Sequence, residues 1–333
     1  MRPLTTLLAA AVAATALSVS ACGGSSNDST SSQSSSGTPA ASAAPSETPS
    51  KAIVSDPANA KVSLKIGSKN FTEQKILGEI FAQGLVAAGY TTSTDLNLGD
   101  EQTALKALKG GQIDAYPEYT GTALLSFFGK TAAALPKDPQ AAYQEARGLF
   151  AKQGITAFPP TPFTDSNEVA VTQATAKKYD LKTISDLAPV ASKLTLYGTP
   201  ECRQRLDCLL GLEKVYGLKF KKFVPVAPDQ RHEVLQSGRA DVSIVFTTDP
   251  QIARNHEVLL KDDKGMFPPY NSTLLMKTAL ATRAGADLPK VIAQVQKPLT
   301  DAAMQELDAR VDLDKKDPAE VAKEYLQETG LVK

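Results

Sequence analysis

The sequence predicts an α/β protein with room for two lobes, and three observations carry that reading. Short β-type runs alternate with longer amphipathic stretches from Val62 onward. A chain of 333 residues suits two units of about 100–150 residues each. The hydrophobic share of 42% is ample for packed cores.

In order, Val62 to Ile66 alternates apolar and polar at period two, and Gly67-Ser68-Lys69-Asn70-Phe71 turns the chain. A helix is expected over Thr72–Ala88, because Ile76, Leu77, Ile80, Phe81 and Leu85 recur at helical spacing and Gly89 ends the pattern. Further strands are expected at Leu96–Leu98, Ile113–Tyr116, Glu168–Thr172, Leu194–Tyr197, Lys222–Val226, Asp241–Phe246, Val258–Leu260 and Thr273–Met276. Helical patterns fall at Gln102–Lys109, Gln140–Lys152, Arg203–Tyr216, Asp229–Ser237, Leu288–Gln296, Ala302–Val311 and Pro318–Glu328. This alternation predicts parallel sheets of β-α-β units, and in such sheets ligands sit beyond the carboxyl ends of the strands.

The amino-terminal end reads as an export signal over residues 1–21: one charge, Arg2, then an apolar run diluted by Pro3 and several Thr and Ser. Val19-Ser20-Ala21-Cys22 resembles a bacterial lipobox, which would make Cys22 the acylated new terminus, and several acyl chains hold a protein stably at a membrane surface. Residues 22–60 then read as a tether, since the Ser-, Gly-, Pro- and Ala-rich stretch that follows Cys22 cannot offset its ordering entropy. The expected location is therefore extracytoplasmic, lipid-anchored on the outer face of the cell membrane.

Charge and chemistry narrow the function. Lys and Arg number 36 against 36 Asp and Glu, which gives no basic surface for nucleic acid. There is no nucleophile elbow, phosphate-cradling loop or dinucleotide fingerprint. His232 and His256 have no partners at metal-ligand spacing and read as exposed surface residues. No catalytic set, metal or cofactor is expected. Cys202 and Cys208, the two thiols left after lipidation, read as a structural disulfide in an exported chain.

The densest cluster is Gln112 to Thr122, where Tyr116 and Tyr119 bracket Pro117, a residue suited to the first turn of a helix. The two rings either fill the gap between sheet and helix or face a ligand.

Five ordered motifs resemble the substrate-binding lipoproteins of osmoprotectant importers of the ATP-binding-cassette class, which capture glycine betaine, choline and carnitine. They are Ile66 to Gln74, Asp114 to Thr122, Tyr216-Gly217-Leu218, Ala240-Asp241-Val242 with Thr247-Thr248-Asp249, and Pro268-Pro269-Tyr270-Asn271. The resemblance implies a two-lobed, hinged clamp of the type II periplasmic-binding-protein kind with two crossovers. It sets lobe 1 at 61–163, lobe 2 at 164–265 and a return to lobe 1 over 266–333. It also implies a monomer that delivers its solute to a membrane permease driven by a separate ATPase.

Position by position, the resemblance implies a carboxylate clamp of Lys69, Thr122 and Arg205, an aromatic cage of Tyr119, Phe246 and Tyr270, and an acidic cap at Asp165. The physics is coherent: ring faces hold a trimethylammonium by cation–π attraction, about 0.5–2 kcal/mol per contact. An arginine fork and a lysine point charge suit a carboxylate. Two positions depart from the pattern: Asn167 stands where another cage tyrosine is common, and Phe246 lacks a hydroxyl. The expected pocket is wider and more polar than a glycine betaine site, so a larger polar or aromatic solute is the alternative. A lipid-anchored sensor using the same clamp is a second one.

Overall fold

The computed structural model describes residues 52–131 and 134–333. The expected export signal, Cys22 and most of the expected tether lie outside the described residues.

Two five-stranded sheets organise the chain. β1 (Ser63–Gly67), β2 (Thr91–Asp95), β3 (Ala115–Tyr119) and β4 (Ile155–Ala157) belong to the first. The chain then crosses to the second sheet, formed by β5 (Asn167–Val171), β6 (Thr195–Gly198), β7 (Lys222–Pro225), β8 (Val242–Phe246) and β9 (Val258–Leu260). It returns to place β10 (Ser272–Lys277) between β3 and β4. The strand orders are β2-β1-β3-β10-β4 and β7-β6-β8-β5-β9.

The sheets are mixed, not parallel throughout as expected. β1 runs parallel to β2 and β3, and β6 to β7 and β8. β10 is antiparallel to both its neighbours, and so is β5. The reason is topological: β5 and β10 enter their sheets from the other lobe rather than through a crossover helix, so nothing imposes the β-α-β direction. The two crossing segments are tied together. Thr164 pairs with Asn271 in an antiparallel bridge, the Asp165 N–H donates to Tyr270 O at 3.2 Å, and the Tyr270 N–H donates to Thr164 Oγ1 at 3.1 Å.

Pro117 lies inside β3 and not in a helical turn. The Thr120 N–H donates to Asn271 O on the β10 side, so by strand alternation the Pro117 nitrogen points the other way. There β1 pairs with β3 only at Ile66 and Ala115, and no ladder bond is lost. The expected strand Leu96–Leu98 is a loop; the strand lies earlier, at β2, whose largely polar, water-facing residues at the sheet edge hide it from an apolar pattern. The three-residue β4 was not anticipated. The helix expected over Arg203–Tyr216 is a 3-10 turn, Pro200–Arg203, followed by a helix at Leu209–Tyr216. The one expected over Asp229–Ser237 likewise divides into Pro228–Gln230 and Glu233–Gln236.

α1 (Thr72–Ala87) buries Ile76, Leu77, Ile80, Phe81 and Leu85 in the first-lobe core, which also takes in Val321, Tyr325 and Leu326 of the Pro318–Glu328 helix. Each such aliphatic side chain contributes about 1.5–3 kcal/mol by leaving water. Gly89 ends the helix at φ +96°, and a Cβ there would stand 2.4 Å from Asp56 O. That contact corrects the expected tether limit of residue 60. The Ile53 N–H donates to Leu331 O, the Asp56 N–H and Asn59 Nδ2 both donate to Ala88 O, and Pro57–Lys61 forms a 3-10 turn capped by Asp56. Residues 53–60 are tied to the first lobe by these hydrogen bonds, although only Asn59 among them is buried. The second lobe has its own core, which includes the Cys202–Cys208 disulfide, Cα to Cα 5.1 Å.

Candidate ligand-binding site

The parallel strands of both sheets end toward the gap between the lobes, and the antiparallel β5 and β10 begin there. The turn after β1 supplies Lys69 and Phe71. The end of β3 supplies Tyr119, and the helical turn Thr120–Thr122 supplies Thr122. Gly121 lets that turn seat closely, since a Cβ there would meet Pro268, Pro269 O and Tyr270 within 2.9 Å. The crossing segments supply Asp165 and Tyr270, β5 begins with Asn167, and β8 ends with Phe246. Arg205 comes from the loop that the disulfide closes.

All eight expected side chains line one small hollow, together with Phe71. It adjoins a second hollow that shares Lys69, Phe71, Asn167, Arg205 and Phe246 and is walled further by Val226, Pro228 and Ile244. Phe71 is the ring that sequence reasoning missed, although it stands in the first motif. Its centroid lies 6.1 Å from that of Tyr119, nearly parallel, and 5.2 Å from that of Phe246 on the other lobe. Asn167 does not act as a ring wall; its Nδ2 donates to Asp207 O at 3.0 Å.

The cations of the site are held by acids that sequence reasoning did not select. Lys69 Nζ donates to Glu118 Oε1 at 2.5 Å while lying 4.5 Å from the Tyr119 ring centre. Glu118 also accepts from the Tyr116 hydroxyl and the Tyr119 N–H. Arg205 grips Asp207 through Nε and Nη2 and reaches Glu101 on the first lobe at 3.4 Å. Asp207 accepts from the Tyr270 hydroxyl at 2.7 Å as well. Burial alone would lower the Arg205 guanidinium, but Asp207 and Glu101 more than offset it. Burial opposes ionisation of Asp207 too, yet Arg205 holds it below the usual carboxylate range.

A second set lies behind Phe246. Arg231 stacks on the Phe246 ring at 4.5 Å and is bound in a fork to Asp249, whose Oδ2 also accepts from the Phe246 N–H. His232 corrects the expectation of an exposed residue. It is 4% exposed, with Nδ1 2.8 Å from Glu257 and Nε2 2.9 Å from Asp249. Burial works against its charge, but the two carboxylates raise its pKa above the ordinary value. His256 is exposed.

Two carboxyls face the opposite way. Burial raises Glu73 well above the usual range, with Asp165 adding to the effect, and burial with Asp249 raises Asp165 to about 7. The site therefore combines ring faces, committed cations and protonatable acids. Among the described residues no group of His, Cys, Asp and Glu could hold a metal ion.

Residues 62–328 match the family model for the substrate-binding domain of ABC-type glycine betaine transport systems. This chain belongs to that family. The substrate-binding protein is similar to a glycine-betaine-binding protein of Pseudomonas aeruginosa, 31% identical over 81% of this chain and 88% of the relative. It is also similar to the carnitine transport binding protein OpuCC of Listeria monocytogenes, 30% identical over 82% and 88%. A solved structure titled as a glycine betaine/carnitine/choline ABC transporter is 28% identical, with a TM-score of 0.64 over 80% of this chain and 99% of that one. The two-lobed architecture of this substrate-binding protein is the one its family membership entails.

Proposed function

We propose that this chain captures a quaternary-ammonium solute in the hollow between its lobes and hands it to a membrane permease. The observation that carries the reading is the convergence of Phe71, Tyr119, Phe246 and Tyr270 with Lys69 and Arg205 on one space. Ring faces attract a cation that has no N–H to donate, and the two basic groups answer an anionic end. Closure follows because a ligand touching both lobes favours the state in which both touch it. Cys22 is proposed to anchor the chain on the outer face of the membrane, the chain to act as a monomer, and the solute to leave unaltered, without catalysis.

The adjoining hollow favours a second reading, in which the preferred solute is longer than glycine betaine and extends past Asn167 toward Val226 and Pro228. Titration calorimetry with glycine betaine, choline, carnitine and larger aromatic betaines tests both. Failure of every quaternary amine to bind removes the first reading, and glycine betaine binding well below micromolar removes the second. A permease and an ATPase encoded beside this chain would favour import over a sensor.

A further inference from the structure

We propose that closure of this clamp on its solute takes up one proton, shared among Glu73, Thr248 and Asp165. The inference rests on the solute-capture reading above and adds to it a dependence on acidity.

The argument is a count of hydrogens. Thr248 Oγ1 lies 2.8 Å from Glu73 Oε2 and 2.9 Å from Asp165 Oδ1. A threonine hydroxyl carries one hydrogen, and an ionised carboxylate only accepts. Two oxygen–oxygen contacts at hydrogen-bond distance need two hydrogens, so one of the carboxyls is protonated. Solvent does not relieve the requirement, since Thr248, Glu73 and Asp165 are 2%, 3% and 4% exposed. The other oxygen of Glu73 is engaged as well, accepting from the Tyr119 hydroxyl at 2.5 Å.

Burial and the neighbouring acids favour the neutral form of Glu73, while the hydrogen bonds it accepts from Tyr119 and Thr248 oppose it. β3 contributes Tyr119, and the crossing segment contributes Asp165. The turn after β8 contributes Thr248 and Asp249, and the Asp301–Asp312 helix contributes Asp308 and Asp312. Asp308 is buried, and its Oδ1 has no hydrogen-bond partner. The cation facing Asp165 is Arg231, whose fork is taken by Asp249.

Glu73 sits on α1 of the first lobe and Thr248 follows β8 of the second, so opening the clamp parts them. In water each carboxyl returns toward its ordinary pKa near 4, and the shared proton is lost at neutral pH. The sign follows: a proton is held when closed and released when open, so affinity is highest in acid. It falls by up to about tenfold per pH unit between the ordinary carboxyl range and about 7, then levels off.

The test is titration calorimetry at pH 5.5, 6.5, 7.5 and 8.5, each in two buffers of different ionisation enthalpy, with glycine betaine and with choline. Choline has no carboxyl of its own to titrate. The expected result is uptake approaching one proton at pH 5.5–6.5, a Kd that rises with pH, and loss of both effects in Glu73→Gln. Solute binding with no proton uptake and a flat Kd would overturn the proton coupling alone. Absence of binding by any quaternary amine at every pH would overturn the capture reading with it. Uptake that survives Glu73→Gln but vanishes in Asp308→Asn would overturn the assignment to the Thr248 bridge. If Glu73→Gln does not fold, the two-buffer measurement on the unaltered protein still decides.

Discussion

Arg205 and Asp207 are joined by two parallel hydrogen bonds, 2.8 Å from Nε and 2.6 Å from Nη2. With the longer Nη1 contact to Glu101 at 3.4 Å, three of the five N–H donors of the guanidinium are committed inside the protein. Those that remain on Nη1 and Nη2 are available to a solute carboxylate, and Asp207 fixes where they point.

Arg205→Ala is accordingly expected to weaken solutes that carry a carboxylate more than choline. A charge-assisted hydrogen bond is worth about 1.5–3 kcal/mol, which corresponds to roughly a 10- to 150-fold loss of glycine betaine or carnitine affinity. Choline is expected to lose less, through Asp207 being left buried without its counter-ion. Calorimetry on both solutes checks the difference; equal losses would mean that Arg205 acts only through Asp207.

Phe71 is expected to matter as much as the rings chosen from sequence. Phe71→Leu keeps an apolar side chain but removes a face, and one cation–π contact of about 0.5–2 kcal/mol predicts roughly a 2- to 30-fold weaker affinity for any quaternary amine. A tertiary amine able to donate a hydrogen bond should lose less. An unchanged Kd for choline would remove Phe71 from the cage.

His232 predicts a pH dependence in the free protein. Its pKa is raised in the folded state because Asp249 and Glu257 outweigh its burial. Its contribution is therefore complete below the unfolded value of about 6.5 and disappears as pH rises through the folded value. Asp249 acts in the opposite sense, its depressed pKa mattering only in strong acid. Thermal unfolding of the free protein should show Tm falling between pH 6 and 8, and His232→Gln should lower Tm at pH 6 while flattening that slope. An unaltered slope in the variant would assign it to other groups.

Much of this was legible in the sequence, for physical reasons that also mark where legibility stops. The helices at Leu288–Gln296 and Pro318–Glu328 have strong periodic patterns, α1 has an apolar run at helical spacing closed by Gly89, and all three lie where those patterns put them. β2 does not, because an edge strand with water on it carries no apolar signal. The eight side chains proposed from the motifs share one hollow because they stand at strand ends and at the crossing segments. Their acid partners were not legible: Glu118 lies 49 residues from Lys69, and Glu101 lies 104 from Arg205. Nothing local tells a buried counter-ion from a solvated one. His232 was misread for the same reason, since its two acceptors arrive 17 and 25 residues later.

The disulfide has a consequence for where the protein can work. Cys202 and Cys208 bracket both Arg205 and Asp207, so the bond that staples this short loop also fixes the guanidinium that faces the hollow. Thiols stay reduced in the cytosol and oxidise outside it. A chain retained inside the cell would thus carry an unfastened recognition loop, and competence to hold solute would mature only on the side of the membrane where the solute is met.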